Sequence, residues 1–325
     1  MLALRGKALI AYLLVCTVWG STYLAIRIGV AHLPPFLFAG VRFLVAGLLL
    51  GGIVTLAGVR LPNRGRDWRT LAITGVFLLV GANAIVVWSE QFIASGVASV
   101  FVSAMPLWAA FFEAIVPGGK TALTWRIGAG LALGFLGSAL LAGITPHELA
   151  SADLRGPIAL TLGSASWAMG SVYWKRHPTE VSPYSAAAVQ MVIGGGILVV
   201  FGLLLGEGPA WHLTGAGLGA MAYLILFGSI VGYTAYGYAL EHSSPTVVGT
   251  YAYVNPVVAV LLGWLVLHEP VTTRMLAAMG LILGAVLWIQ LAARSDRAAA
   301  KTPAAPVRAL TRRERRRHAR RPADV

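Results

Sequence analysis

Long apolar stretches alternate with short polar links along this chain. A helix that crosses a bilayer needs roughly 20 mostly apolar residues, at about 1.5 Å of rise per residue. Cutting the chain at charge clusters and Pro/Gly breaks predicts ten such spans, at 8–30, 35–58, 69–89, 94–116, 124–143, 156–176, 183–205, 215–239, 245–267 and 272–293. The links carry turn chemistry, as in Leu33-Pro34-Pro35, Pro117-Gly118-Gly119 and Gly206-Glu207-Gly208-Pro209. No segment alternates with period two over the length of a barrel strand, so the expected class is all-α integral membrane.

The pattern also repeats. Trp19 and Trp167, Pro35 and Pro183, and Arg42 and Gln190 are related by an offset of 148 residues; Pro106 and Pro256, Gly130 and Gly280, and Gly134 and Gly284 by 150. Each half holds five predicted spans, and an odd number reverses the direction of the second half. The expectation is ten transmembrane helices in two inverted five-helix repeats, 8–143 and 156–293, with a disordered basic tail over 294–325. Two similar halves of opposite orientation can exchange conformations, which suits a carrier with its site near the midplane.

Composition strengthens the membrane reading. Hydrophobic residues make up 58% of the 325 positions and charged ones 11%, against about 25% charged in soluble domains. The net charge of +13 would suggest a nucleic-acid partner on a globular surface. Here eleven of the 25 Lys and Arg lie in the last 32 residues, including the run Arg312-Arg313-Glu314-Arg315-Arg316-Arg317. That tail is too polar to fold alone and suits an anionic bilayer surface, so no nucleic-acid partner is expected. If the N-terminus is cytoplasmic, Lys and Arg divide 21 to 4 in favour of the inner side, or 10 to 4 without the tail. The expected location is the cell inner membrane, with both termini cytoplasmic. The first apolar run lacks a small-x-small cleavage site and reads as a retained span. The lone Cys16 sits within it and excludes an intrachain disulfide.

Five strings carry a family resemblance. Trp19-Gly20-Ser21-Thr22-Tyr23, followed by Ile26-Arg27-Ile28-Gly29-Val30 and Gly40-Val41-Arg42-Phe43, resembles the opening of EamA-type members of the drug/metabolite transporter superfamily. Ser166-Trp167-Ala168-Met169-Gly170-Ser171-Val172-Tyr173 and Thr250-Tyr251-Ala252-Tyr253-Val254-Asn255-Pro256-Val257-Val258 are similar to it in the second half. The resemblance covers about residues 8–293. It implies ten helices, cytoplasmic termini and export of metabolites or drugs, without fixing the substrate.

Candidate chemistry follows from depth in the spans. Matched prolines Pro106 and Pro256 would free a carbonyl within the membrane and mark a cavity, a hinge or a packing kink. Polar and aromatic side chains at similar depth, namely Trp19, Ser21, Thr22, Asn83, Trp88, Ser103, Trp167, Ser171, Tyr233, Tyr251 and Asn255, are expected to line one central, mostly apolar substrate cavity with those prolines. Arg42 lies about two turns inside the second span, and Glu90 is its expected partner in an outer ion pair or gate; an anion contact is the other reading. Gly130, Gly134, Gly280 and Gly284 give the fifth and tenth spans smooth faces for packing or for a homodimer seam. None of the 12 acidic residues sits at a span centre, and Glu113 is the deepest, so proton coupling and facilitated diffusion both stay open. No metal or cofactor motif is present, and His268-Glu269 lacks a second histidine at metalloprotease spacing. The partners expected are a small-molecule substrate and the lipid bilayer, and the activity is transport rather than catalysis; a channel-like pore or a membrane-embedded enzyme are the alternatives.

Overall fold

The computed structural model describes residues 4–92, 98, 101–115, 124–142, 155–267 and 271–301, and the regular structure among them is entirely helical. Residues 94–97, 99, 100 and 116 of the fourth predicted span, the link Pro117-Gly118-Gly119, His147, His268, Glu269 and the tail beyond Lys301 lie outside the described residues. In chain order the helices are α1 (Lys7–Val30), α2 (Pro35–Leu56), α3 (Gly65–Ser89), α4 (Met105–Ile115), α5 (Trp125–Ala142), α6 (Arg155–Arg176), α7 (Pro183–Leu204), α8 (Gly215–His242), α9 (Pro245–Gly249, resumed as Tyr251–Leu267) and α10 (Thr273–Lys301). Among the described residues seven are long and apolar enough to cross a membrane: α1, α2, α3, α7, α8, α9 and α10. Two more, α4 and α5, are shorter apolar helices. Helix α6 is 22 residues long but carries Arg155, Lys175 and Arg176 at its ends and a middle rich in Ser, Gly and Trp.

The helix starts are encoded locally. Ser182, Thr214 and Ser244 each accept a hydrogen bond from the backbone amide three residues on and so cap α7, α8 and α9. Helix α2 begins Pro34-Pro35 without such a side chain. Its first amides, Phe36 and Leu37, instead donate to the Glu207 carboxylate at 3.2 and 2.7 Å. An anion at a helix N-terminus also complements the backbone dipole, and here it ties the α7–α8 link to the first half.

Packing relates the two halves. Helix α1 packs on α8 and α9, while α6 packs on α3 and α4; α3 lies on α7, and α8 lies on α2. Exchanging each helix for the one five places along returns the same set of neighbours. The self-paired helices run antiparallel. Gly40 lies on the backbone of Leu198 and Val199, Gly47 on that of Ala188 and Val192, and Gly202 beside Leu37, so numbers rise along α2 as they fall along α7. Helices α5 and α10 behave alike, with Gly130 against Ile289 and Gly137 against Ile282. They form a separate apolar cluster with Tyr253 and Val257, to one side of the main core.

Two local features differ from the pattern read in the sequence. Both α3 and α8 contain an eight-residue π-helical segment, Val76–Asn83 and Leu224–Val231, at the same offset of 148. The prolines also act differently from interior kinks. Pro106 is the second residue of α4, because a turn at Ser103-Ala104 interrupts the chain just before it. There its missing amide costs no hydrogen bond. Pro256 does lie inside a helix, but α9 breaks at Thr250, six residues earlier. The two interruptions meet: Gly249 rests against Met105 and Pro106.

Candidate functional site

A cavity of about 80 Å³ lies between the halves, with walls from α1, α2, α3, α6, α8, α9 and the segment 102–105. Of the residues expected there, Trp19, Thr22, Asn83, Trp167, Tyr233, Tyr251 and Asn255 line it, and Arg42 joins them. Tyr23, Phe43, Met105 and Gly228 are among the further wall residues, and the sequence did not single them out as lining a cavity. Tyr236 adds to the aromatic floor; its place one helical turn after Tyr233 is the signal that could have found it.

That floor is built around the repeat-related tryptophans. Trp19 and Trp167 meet edge to face, with ring centroids 5.3 Å apart. Tyr236 lies 5.3 Å from Trp19 and 5.4 Å from Trp167, and Tyr251 lies 4.9 Å from Trp19. Aromatic pairs in such geometries each add about 0.5–1.5 kcal/mol beyond area burial. The ring layer is pinned by polar contacts. Ser171 Oγ donates to Trp167 O at 2.6 Å and bonds the Tyr236 hydroxyl at 2.5 Å, and Tyr12 bonds Thr250 at 2.8 Å.

The π-helical segments supply acceptors to this layer. A π turn disturbs the regular hydrogen-bond ladder and leaves carbonyls accessible. Trp19 Nε1 donates to Gly228 O at 2.9 Å, within the π segment of α8. Ser166 Oγ donates to Phe77 O at 2.8 Å, within the π segment of α3. Each half therefore sends a side chain from its first helix to the π carbonyl of the other half. Asn255 holds α9 to α1: with its amide nitrogen turned to donate, it reaches Cys16 O at 3.2 Å and Tyr251 O at 3.1 Å.

Arg42 is 3% exposed. It donates from Nη2 to Asn83 Oδ1 at 2.6 Å, and its guanidinium carbon lies 4.1 Å from the centre of the Phe43 ring. Glu90 is fully buried, interacts electrostatically first with Arg27 and then with Arg42, and offers its backbone carbonyl to Arg27. No hydrogen bond or ion pair joins Arg42 to Glu90 among the described residues; the neutral amide of Asn83 takes the contact expected of the carboxylate.

Other expected residues lie away from the cavity wall. Ser21 bonds Val18 O at 2.6 Å and the Tyr223 hydroxyl at 2.5 Å. Trp88 packs edge to face on Phe92 at 4.9 Å. Ser103 and Ser171 are fully buried outside it, and Pro106 and Pro256 do not line it. Gly130 sits under Ile289 and Gly134 under Tyr253, whereas Gly280 and Gly284 face open space. Glu113 accepts from the backbone amide of Thr246 at 3.1 Å and from its hydroxyl, which fastens the end of α4 to the start of α9.

Apolar helices arranged in two interchangeable sets around a cavity define an all-helical, multi-pass membrane protein. The EamA-like transporter family model matches the chain twice, over residues 6–143 and 154–291. The chain belongs to that family and is a membrane transporter. It is 38% identical over 275 residues to an uncharacterized inner membrane transporter of Escherichia coli strain K12, YedA, covering 84% of this chain and 87% of the relative. It is 28% identical to the uncharacterized transporter YvbV of Bacillus subtilis, covering 91% and 95%. A chloroplastic WAT1-related protein of Arabidopsis thaliana is 26% identical, covering 86% and 68%. One solved crystal structure has the same fold, with a TM-score of 0.72 at 20% identity over 90% of this chain and 99% of the other.

Proposed function

We propose that the protein is a ten-span, inverted-repeat carrier that exports small metabolites, amino acids or drugs from the cytoplasm by alternating access. The observation that carries this reading is the cavity whose floor is the contact of Trp19 with Trp167, equivalent residues of the two halves, at 5.3 Å. Antiparallel packing of α2 on α7 and of α5 on α10 supports the inverted relation, because equivalent helices lie side by side in opposite directions. A two-state carrier needs such paired halves.

The cavity of about 80 Å³ is smaller than the roughly 300 Å³ or more of a pocket holding a drug-sized ligand. Entry of a drug-sized substrate into this cavity therefore requires helix movement. With both termini cytoplasmic, the aromatic layer and the Glu113–Thr246 contact close the inner side, and Arg42 and Glu90 stand towards the outer side. Four interrupted or π-helical places, in α3, α4, α8 and α9, are where this motion is absorbed.

The test is a panel experiment on cells overexpressing the protein, measuring extracellular metabolites and growth resistance against a vector control. Accumulation of one class outside the cells, abolished by Trp19→Ala with insertion intact, is the expected result. No change for any amino acid, metabolite or drug sinks the exporter reading. Saturable counterflow in proteoliposomes separates a carrier from a channel, and conversion of the compound into another reveals an enzyme.

A further inference from the structure

We propose that the cavity selects amphipathic monoanions, with a carboxylate on the guanidinium of Arg42 and an apolar or aromatic body against Trp19, Trp167 and Phe43. This deepens the carrier reading and rests on it. The first observation is a surplus of donors. The Nε of Arg42 and the hydroxyl of Tyr233 have no hydrogen-bond partner among the described residues, although Arg42 is 3% and Tyr233 is 1% exposed and both line the cavity. A buried donor left without an acceptor costs about 1–3 kcal/mol, and more when it is charged. Trp167 Nε1 is a third such donor lining the cavity, and a ligand that brings acceptors can satisfy donors of this kind.

Of the amide groups on that wall, Asn83 Oδ1 is already held by Arg42 itself, and the Asn255 nitrogen donates to the carbonyls of Cys16 and Tyr251. No carboxylate lines the cavity among the described residues. A cationic ligand would meet Arg42 with no carboxylate on the cavity wall to offset it, which is disfavoured at low dielectric.

The second observation is the charge balance. Arg27, Arg42 and Glu90 interact electrostatically, and Arg27 also donates to the Glu90 backbone carbonyl. Two cations against one carboxylate leave one positive charge, and Arg42 is the member on the cavity wall. A single guanidinium matches a monoanion, and its remaining N–H edge suits a carboxylate oxygen. The ring of Phe43 beneath the guanidinium fixes its plane.

The experiment measures binding by calorimetry to the full chain in nanodiscs, using hydrocinnamate, hydrocinnamyl alcohol and hydrocinnamylamine, which share one phenylalkyl body. Wild-type protein should bind the acid about tenfold or more tighter than the alcohol or the amine, as expected for one charge-assisted hydrogen bond. Arg42→Gln should remove the preference. Tyr233→Phe, which keeps the ring and deletes only the orphaned hydroxyl, should weaken the acid severalfold and so serves even if Arg42→Gln fails to fold. Equal or tighter binding of the amine or alcohol, or no binding of the acid to wild type, overturns the proposal. Flux of hydrocinnamate in proteoliposomes reads the carrier separately: binding without flux rejects the carrier and keeps the selectivity, whereas Arg42-independent flux of the amine does the reverse.

Discussion

Gly47→Ala tests the seam that joins the two halves. Gly47 lies where α2 crosses α7, and a Cβ there would sit 2.7 Å from Val192 N and 2.9 Å from Ala188 O. Both are backbone atoms of a helix, so neither can swing aside. Ordinary contact begins at 3.4 Å, so the helices would have to part by about 0.7 Å, a gap that forfeits a quarter to a half of each dispersion contact beside it. Overpacking of this kind costs about 1–3 kcal/mol. The proper control is Gly52→Ala on the same helix, where a Cβ meets nothing within 4 Å. It shares the gain in helix propensity, up to about 1 kcal/mol, and none of the clash. Cys16 is the single cysteine and is 2% exposed, so a thiol-reactive dye reports unfolding in detergent without any added label. Gly47→Ala should unfold at lower temperature than wild type and Gly52→Ala should not. The repeat-related Gly195→Ala should match Gly47→Ala, because Gly195 presses on the backbone of Leu44 and Gly40. A Gly47→Ala protein as stable as Gly52→Ala would refute the close-packed seam.

Other outcomes follow from single contacts. Trp19→Ala removes three ring contacts and the bond to Gly228 O, and should abolish transport in the cell-based panel while membrane insertion, read by blotting of the membrane fraction, stays normal. Glu113→Ala leaves the Thr246 amide and hydroxyl without their carboxylate; a loss of about 1–3 kcal/mol should appear as earlier Cys16 labelling on heating. Glu180→Ala breaks the Arg64–Glu180 ion pair, but both side chains are 58% exposed, so stability by the same dye should change by less than about 0.5 kcal/mol. In a Cys16→Ser background, cysteines placed at Arg64 and at Glu207 should be labelled by an impermeant maleimide only at Glu207 in intact cells; labelling of the Arg64 site would invert the topology.

What the chain's pattern displayed and what it hid divide along a physical line. Depth along a helix is legible, because polarity and proline report distance from the bilayer surface. That is why Trp19, Thr22, Asn83, Trp167, Tyr233, Tyr251 and Asn255, chosen by shared depth and by repeat pairing, line one cavity. The angle around a helix is less legible, because an apolar residue suits both lipid and protein. Ser21 and Trp88 have the depth of the cavity residues and point elsewhere. The glycines show the same division. Gly280 and Gly284 have the close-packing spacing and face open space, while Gly40 and Gly47, and Gly195 and Gly202, form the seam at a spacing of seven. A small residue makes a smooth surface, but only the partner's position decides whether it is covered. The π segments left no mark at all, since a mostly apolar stretch in a span reads alike in α or π form. Even so, both occur at the offset already shown by Trp19 and Trp167. The repeat is therefore the stronger source of inference: a local feature invisible in one half becomes credible when the other half holds it at the same register. The pairing of Arg42 shows where that reasoning stops. Its repeat equivalent is Gln190, which bonds Thr74 at 2.6 Å as a neutral amide. The charge in the first half has no counterpart in the second, and such a break in the repeat is where selectivity for a ligand can be built without disturbing the symmetry that permits the motion.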